Sequence, residues 1–145
     1  MSFFDILNIG SSGLAAQRIR QEVISSNIAN ASTTRTPEGG PYVRKDVIFR
    51  TANVTSEFGE MLSSLTDDGL RGVKVAEIRQ DDRPPERRFE PNHPDADTDG
   101  YVSYPNINII AEMVNMVEAT RSYEANLAVM NATKLMALRA IDLGT

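Results

Sequence analysis

The residues best suited to chemistry form a short acidic segment, Asp95-Ala-Asp-Thr-Asp-Gly100. Asp95, Asp97 and Asp99 followed by a glycine match the first half of a calcium-binding loop. The second half is missing, because the twelfth position needs a bidentate glutamate and is Asn106, and because a proline rather than a helix precedes the segment. An aspartate-rich turn that ends at the glycine is the simpler interpretation. A calcium-binding regulatory module remains the alternative.

Other arrangements that support catalysis are incomplete. His93 is the one histidine of the chain, so a Ser-His-Asp triad would have to form on a proline-flanked loop. Glu112, Glu118 and Glu124 recur every six residues, which places them on different faces of a helix. Gly10-Ser-Ser-Gly13 lacks the preceding strand and the following lysine of a phosphate-binding loop. The sequence therefore predicts no catalytic residue, no cofactor, no metal and no small-molecule substrate, and a protein that is not an enzyme.

Composition excludes further classes of function. The 145 residues carry a net charge of -5 at pH 7, which argues against a nucleic-acid or anionic-lipid partner. The absence of cysteine excludes zinc-thiolate sites, thiol catalysis and disulfides. The N-terminus lacks the basic region and the continuous apolar run of a secretory signal. We therefore expect either a cytoplasmic protein or export without a cleaved signal peptide.

The positions of the prolines divide the chain into three parts. All seven prolines lie between Arg35 and Pro105. A proline inside a helix costs about 3 kcal/mol, so the two ends are free to form long helices and the centre is not. We predict an N-terminal helical segment at 1–34, a central β-rich insert with long loops at 35–105, and a C-terminal helix at 106–145 that packs against the first.

Alternating apolar and polar residues predict short strands in the insert. Val43–Phe49 and Gly72–Ile78 show this alternation between glycines, prolines and paired acids. Tyr101–Tyr104 is expected to be extended after the aspartate-rich turn. Arg79–Glu90 mixes both signs of charge around two prolines, which is typical of a solvated loop.

The apolar residues of the N-terminal end predict a long helix from Phe4 to about Ala31. They recur at three- and four-residue spacings in two neighbouring stripes, which together make a wide apolar face. Gly10 and Gly13 interrupt the pattern. Either the helix restarts after a short leading turn, or the glycines lie where another helix approaches closely. Both ends are poor in charge, so we expect other chains to cover them on more than one side.

The C-terminal end shows a longer apolar pattern with heptad spacing. The a and d positions are Ile109, Met113, Met116, Tyr123, Leu127, Met130, Ala137 and Ile141, with Thr120 and Lys134 as exceptions. A second stripe lies beside them and comprises Ile110, Val114, Val117, Leu135 and Leu138. The predicted fold class is mainly α with a small β-rich insert, in which the long N- and C-terminal helices pair as a coiled-coil-like layer.

Asparagine is concentrated in the two ends, although it is a poor helix former. Asn8, Asn106 and Asn108 are explained by caps or frayed ends. Asn126 and its neighbours Asn115 and Asn131 lie in mid-helix, where a buried amide fixes the register by demanding a partner across a helix interface.

Several motifs resemble those of the axial proteins that form the rod and hook of the bacterial flagellum. The N-terminal signature of that family is similar to Ser12-Gly-Leu-Ala-Ala16 and Ser26-Asn-Ile-Ala-Asn-Ala-Ser-Thr33. Its C-terminal signature is similar to Asn106-Ile-Asn108, Glu112-Met113, Met116 and Arg121-Ser-Tyr-Glu-Ala-Asn126. Two further stretches, Thr33–Tyr42 and His93–Tyr101, resemble a short member of the family that forms the proximal rod.

The resemblance implies a structural subunit of the basal-body proximal rod, a helical tube in the periplasm that transmits torque. It also implies export by the flagellar type III apparatus. The implied partners are other rod proteins, the membrane ring and export-gate base of the basal body, and further copies of the chain in a helical array. Two other functions stay open, the calcium-binding module and a cytoplasmic helical adaptor with a single partner.

The assembly interface is expected on the two terminal helices. Its candidate residues are Leu14, Ile19, Val23, Asn27, Ile28, Asn30, Asn106, Met113, Met116, Arg121, Tyr123, Asn126, Leu127 and Met130.

Overall fold

In this computed structural model, which describes residues 3–53 and 71–142, the chain forms a long helix, two short antiparallel sheets and a second long helix, in that order. The elements are α1 (Phe3–Ala29), β1 (Lys45–Asn53), β2 (Arg71–Gln80), β3 (Glu86–Phe89), β4 (Tyr101–Tyr104) and α2 (Ile109–Asp142). The prediction of a mainly helical chain with a small β insert is confirmed.

The two sheets are separate two-stranded ribbons. β1 pairs with β2 from Lys45 opposite Gln80 to Asn53 opposite Arg71, and a β-bulge interrupts the register between Ile48 and Phe49. Both predicted strands of this pair are present, although β1 begins two residues after Val43 and ends after Phe49, and β2 extends beyond both predicted ends. β3 pairs with β4 over four residues, and the turn that leads into β4 contains Gly100 at a φ of 80°. Glycine suits that backbone conformation because it has no Cβ.

The expectation of a loop over Arg79–Glu90 is wrong at both ends, where β2 runs to Gln80 and β3 forms at Glu86–Phe89, although the β3 residues are exposed. The guanidinium groups of Arg87 and Arg88 lie 4.9 Å from the ring centroids of Tyr101 and Tyr104 on β4. Each arginine therefore covers an aromatic ring across the strand pair. The local sequence does not show what these arginines contact, because their partners Tyr101 and Tyr104 lie more than ten residues further along the chain.

Helix α1 is the middle layer of the molecule, between α2 and the β1–β2 sheet. Toward α2, the Gln21 amide donates to the Thr120 hydroxyl at 3.2 Å. Toward the sheet, the Ser12 hydroxyl accepts from the Val73 backbone at 3.1 Å. Because α2 packs on one side of α1 and the β1–β2 sheet on the other, the apolar face of α1 is wide.

Close contacts show that the two helices run antiparallel and that α1 is continuous through its glycines. A Cβ on Gly10 would lie 2.8 Å from Cγ of Met130, and one on Gly13 would lie 3.0 Å from Nδ2 of Asn126. Toward the other end of α1, Gln21 meets Thr120. The glycines therefore mark close helix approach, and the alternative of a restart after a leading turn is wrong.

The side chains of α2 that face α1 are mostly small or polar. Asn115 and Thr120 are covered, and eight further covered positions follow spacings of four and three residues, namely Glu112, Met116, Ala119, Tyr123, Asn126, Met130, Thr133 and Ala137. We call these eight residues the seam. The seam shares four positions with the apolar heptad expected from the sequence. The other apolar heptad positions are exposed, namely Ile109, Met113, Leu127 and Ile141.

The buried core is small. Within the described ranges, the buried apolar residues are Ala16, Ile24, Val102 and Ala119, and Asn27, Glu112 and Thr133 are buried polar residues. A core that holds nearly as many polar as apolar residues gains little free energy from the burial of apolar surface. Directional polar contacts therefore have an unusually large share in fixing this fold.

Candidate assembly surface

The largest exposed apolar surface lies on the side of α2 that faces away from α1. Near the start of the helix it includes Ile110, which is 76% exposed, with Met113, Val114 and Val117, each more than half exposed. It continues along the second half of the helix with Leu127, Leu135 and Leu138. Contiguous exposed apolar side chains of this kind are typical of surfaces that contact other proteins.

The predicted interface residues of α1 lie in two environments. Leu14, Ile19, Val23 and Ile28 are half-buried. Ile19 and Val23 line a shallow cleft with Ile78 of the sheet, so they face the chain's own β1–β2 ribbon.

The predicted interface residues of α2 divide between the seam and the outer surface. Met116, Tyr123, Asn126 and Met130 are half-buried in the seam. Met113, Arg121 and Leu127 are exposed. An open groove between the helices, lined by residues such as Gln21, Met116, Tyr123 and Leu127, connects the two sets.

Two predicted asparagines make local contacts. Asn30 donates to the Ser26 carbonyl at 2.9 Å and accepts from the Thr33 hydroxyl at 3.2 Å, just beyond the end of α1. Asn106 donates to the Pro84 carbonyl at 3.2 Å. Of the asparagines expected at caps or frayed ends, Asn108 caps α2, because its Oδ1 accepts from the Ala111 backbone at 3.1 Å, whereas Asn106 contacts a residue 22 positions earlier.

Asn27 is buried inside the chain. It is 1% exposed, and both ends of its amide are used. Nδ2 donates to the Lys45 carbonyl at 2.8 Å and to Oε2 of Glu112 at 3.1 Å. Oδ1 accepts from the Lys45 backbone at 3.0 Å and from the Tyr42 hydroxyl at 3.1 Å. Asn27 thus joins α1, the start of β1 and α2.

Glu112 and Arg44 complete this group. Oε1 of Glu112 accepts from Nε of Arg44 at 2.9 Å, and Nη2 of Arg44 lies 2.8 Å from the same oxygen. The Glu112 side chain is 3% exposed and that of Arg44 18%. Nη1 of Arg44 lies 3.6 Å from a carboxylate oxygen of Asp81. We call Asn27, Tyr42, Arg44, Asp81 and Glu112 the polar cluster.

The carboxyl of Asp81 has a lowered pKa. Its hydrogen bonds from the Arg83 side chain and backbone, aided by the charges of Arg83 and Arg44, lower the pKa of its carboxyl from 3.8 to about 2. The carboxylate is therefore charged over the whole physiological range.

Sequence reasoning did not find the polar cluster. In the sequence, Glu112 stands out only as a candidate catalytic acid and as part of the C-terminal signature Glu112-Met113. One signal was available, since Glu112 is the single charged residue in the apolar start of α2 from Ile109 to Val117. A lone carboxylate in such a stretch indicates a buried partner.

Two of the three carboxylates of the aspartate-rich segment, those of Asp95 and Asp97, are engaged by the protein. Asp95 accepts from the Thr34 hydroxyl at 2.8 Å and lies 3.6 Å from Arg35. Oδ1 of Asp97 accepts from the backbones of Tyr101 at 2.8 Å and Asp99 at 2.9 Å. These hydrogen bonds, and the ion pair with an arginine, lower the pKa of Asp97. The geometry is that of the expected turn and gives no support to calcium binding.

The other chemical candidates also make ordinary structural contacts. Nδ1 of His93 accepts from the Asp95 backbone at 3.1 Å. Over residues 3–53 and 71–142, no group of three histidine or acidic side chains is arranged to hold a metal ion. No helix in the described ranges is long and apolar enough to span a membrane.

Two family models match the ends of the chain. Residues 7–35 match the family described as flagella basal body rod protein. Residues 98–143 match the C-terminal family of the flagellar basal body rod FlgEFG proteins. The two matches cover most of α1 and all of β4 and α2.

Curated relatives match almost the whole chain. The flagellar basal-body rod protein FlgC of Borreliella burgdorferi is 46% identical, over 94% of this chain and 93% of its own. FlgC of Bacillus subtilis is 41% identical and FlgC of Salmonella typhimurium 38% identical, each over 99% of both chains. At such identity over nearly full length, the chain belongs to the FlgC family of flagellar basal-body rod proteins.

Proposed function

We propose that this protein is a structural subunit of the flagellar basal-body rod, located in its proximal part. The observation that carries the proposal is the outward apolar face of α2, in a chain that matches rod proteins along nearly its full length. A chain with so small a core of its own gains stability when neighbouring copies cover that face. Repeated head-to-tail contacts of this kind generate a helical array, which resists and transmits torque.

The proposed arrangement in the rod assigns a role to each part of the chain. Segments 1–34 and 106–145 form an inner helical layer by coiled-coil-like packing, and segment 35–105 lies outward against neighbouring subunits. The support is the antiparallel contact of α1 and α2 and the uncovered side of α2. The predicted interface residues on that uncovered side, Met113, Arg121 and Leu127, contact neighbours directly in this arrangement.

The proposed partners are other rod proteins, further copies of the chain, and the membrane ring with the export-gate base. The proposed location is the periplasmic rod, reached through the flagellar type III apparatus without a cleaved signal peptide. No catalytic role is proposed, because the relatives are named as rod proteins and the titratable side chains described above are engaged in structural contacts.

A charge on the outer face of α2 tests the proposal. Leu127 is 43% exposed in the free chain, so Leu127→Asp leaves folding of the subunit almost unchanged. In the rod the new carboxylate becomes buried without a partner, at a cost of several kcal/mol. We expect nonmotile cells without rods, with the variant exported at the normal level.

Ser122→Asp is the matched control. It introduces the same charge into the exposed surface of α2, about 140° around the helix from Leu127. Motility close to wild type is expected. The proposal is wrong if Leu127→Asp cells assemble rods and swim normally.

Fractionation separates the proposal from its rival, a cytoplasmic adaptor. An epitope-tagged chain should purify with basal bodies after detergent extraction. Recovery of the chain only in the soluble cytoplasmic fraction would support the adaptor instead.

A further inference from the structure

Several large apolar residues of α2 do not face its helix partner. An apolar stripe at heptad spacing lies beside the seam and shares Met116, Tyr123, Met130 and Ala137 with it. A modest rotation of α2 about its axis would bury Ile109, Met113 and Leu127 against α1. Burial of apolar surface favours that rotated arrangement.

Packing favours the observed arrangement at Gly10 and Gly13, where Met130 and Asn126 lie close to α1, but elsewhere the seam consists largely of small or polar residues that select it weakly. One row of the seam recurs every seven residues and consists of Glu112, Ala119, Asn126 and Thr133. On α1, Gly10 and Gly13 lie on the side that faces the seam. Small residues accept several partners at similar cost. In the described parts of the chain, the Oε1 atom of Gln17 on α1 is buried without a hydrogen-bond partner, which indicates that the interface is not optimised around its polar groups.

Glu112 is the one charged residue of the seam, and it adds buried polar contacts to the hydrogen bond between Gln21 and Thr120. It accepts from Asn27 on α1 and from Arg44 before β1, and both of those residues are held by other parts of the chain. Rotation or sliding of α2 would withdraw the carboxylate and leave the Arg44 guanidinium and the Asn27 amide buried without it. Breaking a buried ion pair in this way is strongly unfavourable.

We propose that the contact of Glu112 with Arg44 and Asn27 selects which face of α2 turns inward and so keeps the apolar stripe on the outside. Glu112 is a positioning residue in this proposal. A buried polar group fixes the register of a helix pair in the same way when apolar packing leaves it undetermined. The inference concerns the chain alone and does not rest on its place in a rod.

Disulfide trapping tests the proposal, because the chain has no cysteine of its own. Gly13→Cys is combined with Asn126→Cys, which reports the observed seam, or with Leu127→Cys, which reports the rotated arrangement. With Glu112 and Arg44 intact, the 126 pair should cross-link faster in the purified full-length chain. Glu112→Ala should invert the preference, with a change in the ratio of the two rates of at least about tenfold.

Two further backgrounds keep the test decisive. Arg44→Met removes the other half of the ion pair from a different element and should give the same inversion. Glu118→Ala, an exposed glutamate on the same helix, should leave the ratio unchanged. Unfolding alone would make the two pairs cross-link at equal rates. Equal rates in any background, or a persistent preference for the 126 pair in both Glu112→Ala and Arg44→Met, overturn the proposal.

Discussion

Among single residues, Arg44 joins the start of β1 to both α2 and the end of β2. Its guanidinium pairs with Glu112 on α2 at 2.8 Å and lies 3.6 Å from Asp81 after β2. Both carboxylates would be costly to bury without a cation. The geometry of the polar cluster therefore depends on the Arg44 guanidinium lying beside both carboxylates.

Acid should weaken the cluster through Asp81. Its folded-state pKa of about 2 lies below its ordinary value of 3.8, so the stabilisation is complete above pH 3.8 and is lost as the pH falls toward 2. We expect Asp81→Asn to lower the free energy of unfolding at neutral pH and to flatten its dependence on pH between 3.8 and 2. Urea unfolding at several pH values measures both effects.

The neighbouring Asp82 provides the control for this prediction. It is exposed, so Asp82→Asn should keep the neutral-pH stability and the acid dependence of the wild type. An Asp81→Asn variant with the acid dependence of the wild type would show that Asp81 does not contribute through its charge.

Among the elements, the two helices approach each other most closely at the glycines of α1. Gly10 faces Met130 so closely that a Cβ would lie 2.8 Å from Cγ of that side chain. A glycine destabilises a helix by about 1 kcal/mol relative to alanine, but at this position it lets the two helix axes approach closely.

A large side chain at this position should push the helices apart. We expect Gly10→Leu to lower the free energy of unfolding by about 1 to 3 kcal/mol, the usual cost of overpacking. Ser11→Leu places the same side chain at an exposed position one residue further along and should cost much less. Denaturant unfolding followed by circular dichroism compares the two, and equal stability of the two variants would contradict the close approach.

The elements themselves were largely predictable from the sequence, and their orientation was not. The distribution of prolines predicted the two helices, and local alternation predicted β1 and β2, because both signals are local. Strand β3 was missed because Arg87 and Arg88 find their aromatic partners only when β4 is in place. The inward face of α2 was missed because Glu112 meets Arg44 across 68 residues of sequence.

In the whole molecule, stabilising contacts are distributed unevenly along the pair of helices. At one end of the pair, Asn27, Arg44 and Glu112 connect three elements through buried hydrogen bonds. At the other end, α1 contains Gly10 and Gly13, and α2 exposes Leu135, Leu138 and Ile141. The free chain should therefore be ordered at the polar cluster and should fray away from it.

Hydrogen exchange on the isolated monomer tests this gradient. We expect slow exchange at 21–29 and 109–120, near the polar cluster, and fast exchange at 3–13 and 130–142, so that the monomer is only partly helical. The physical reason is that a helix whose apolar side is uncovered has little to stabilise it beyond its weak intrinsic propensity. Light scattering must show that the sample is monomeric, because association would cover the same face and protect the frayed ends. Uniform protection along both helices of a demonstrated monomer would show that the subunit is fully ordered before it meets its neighbours.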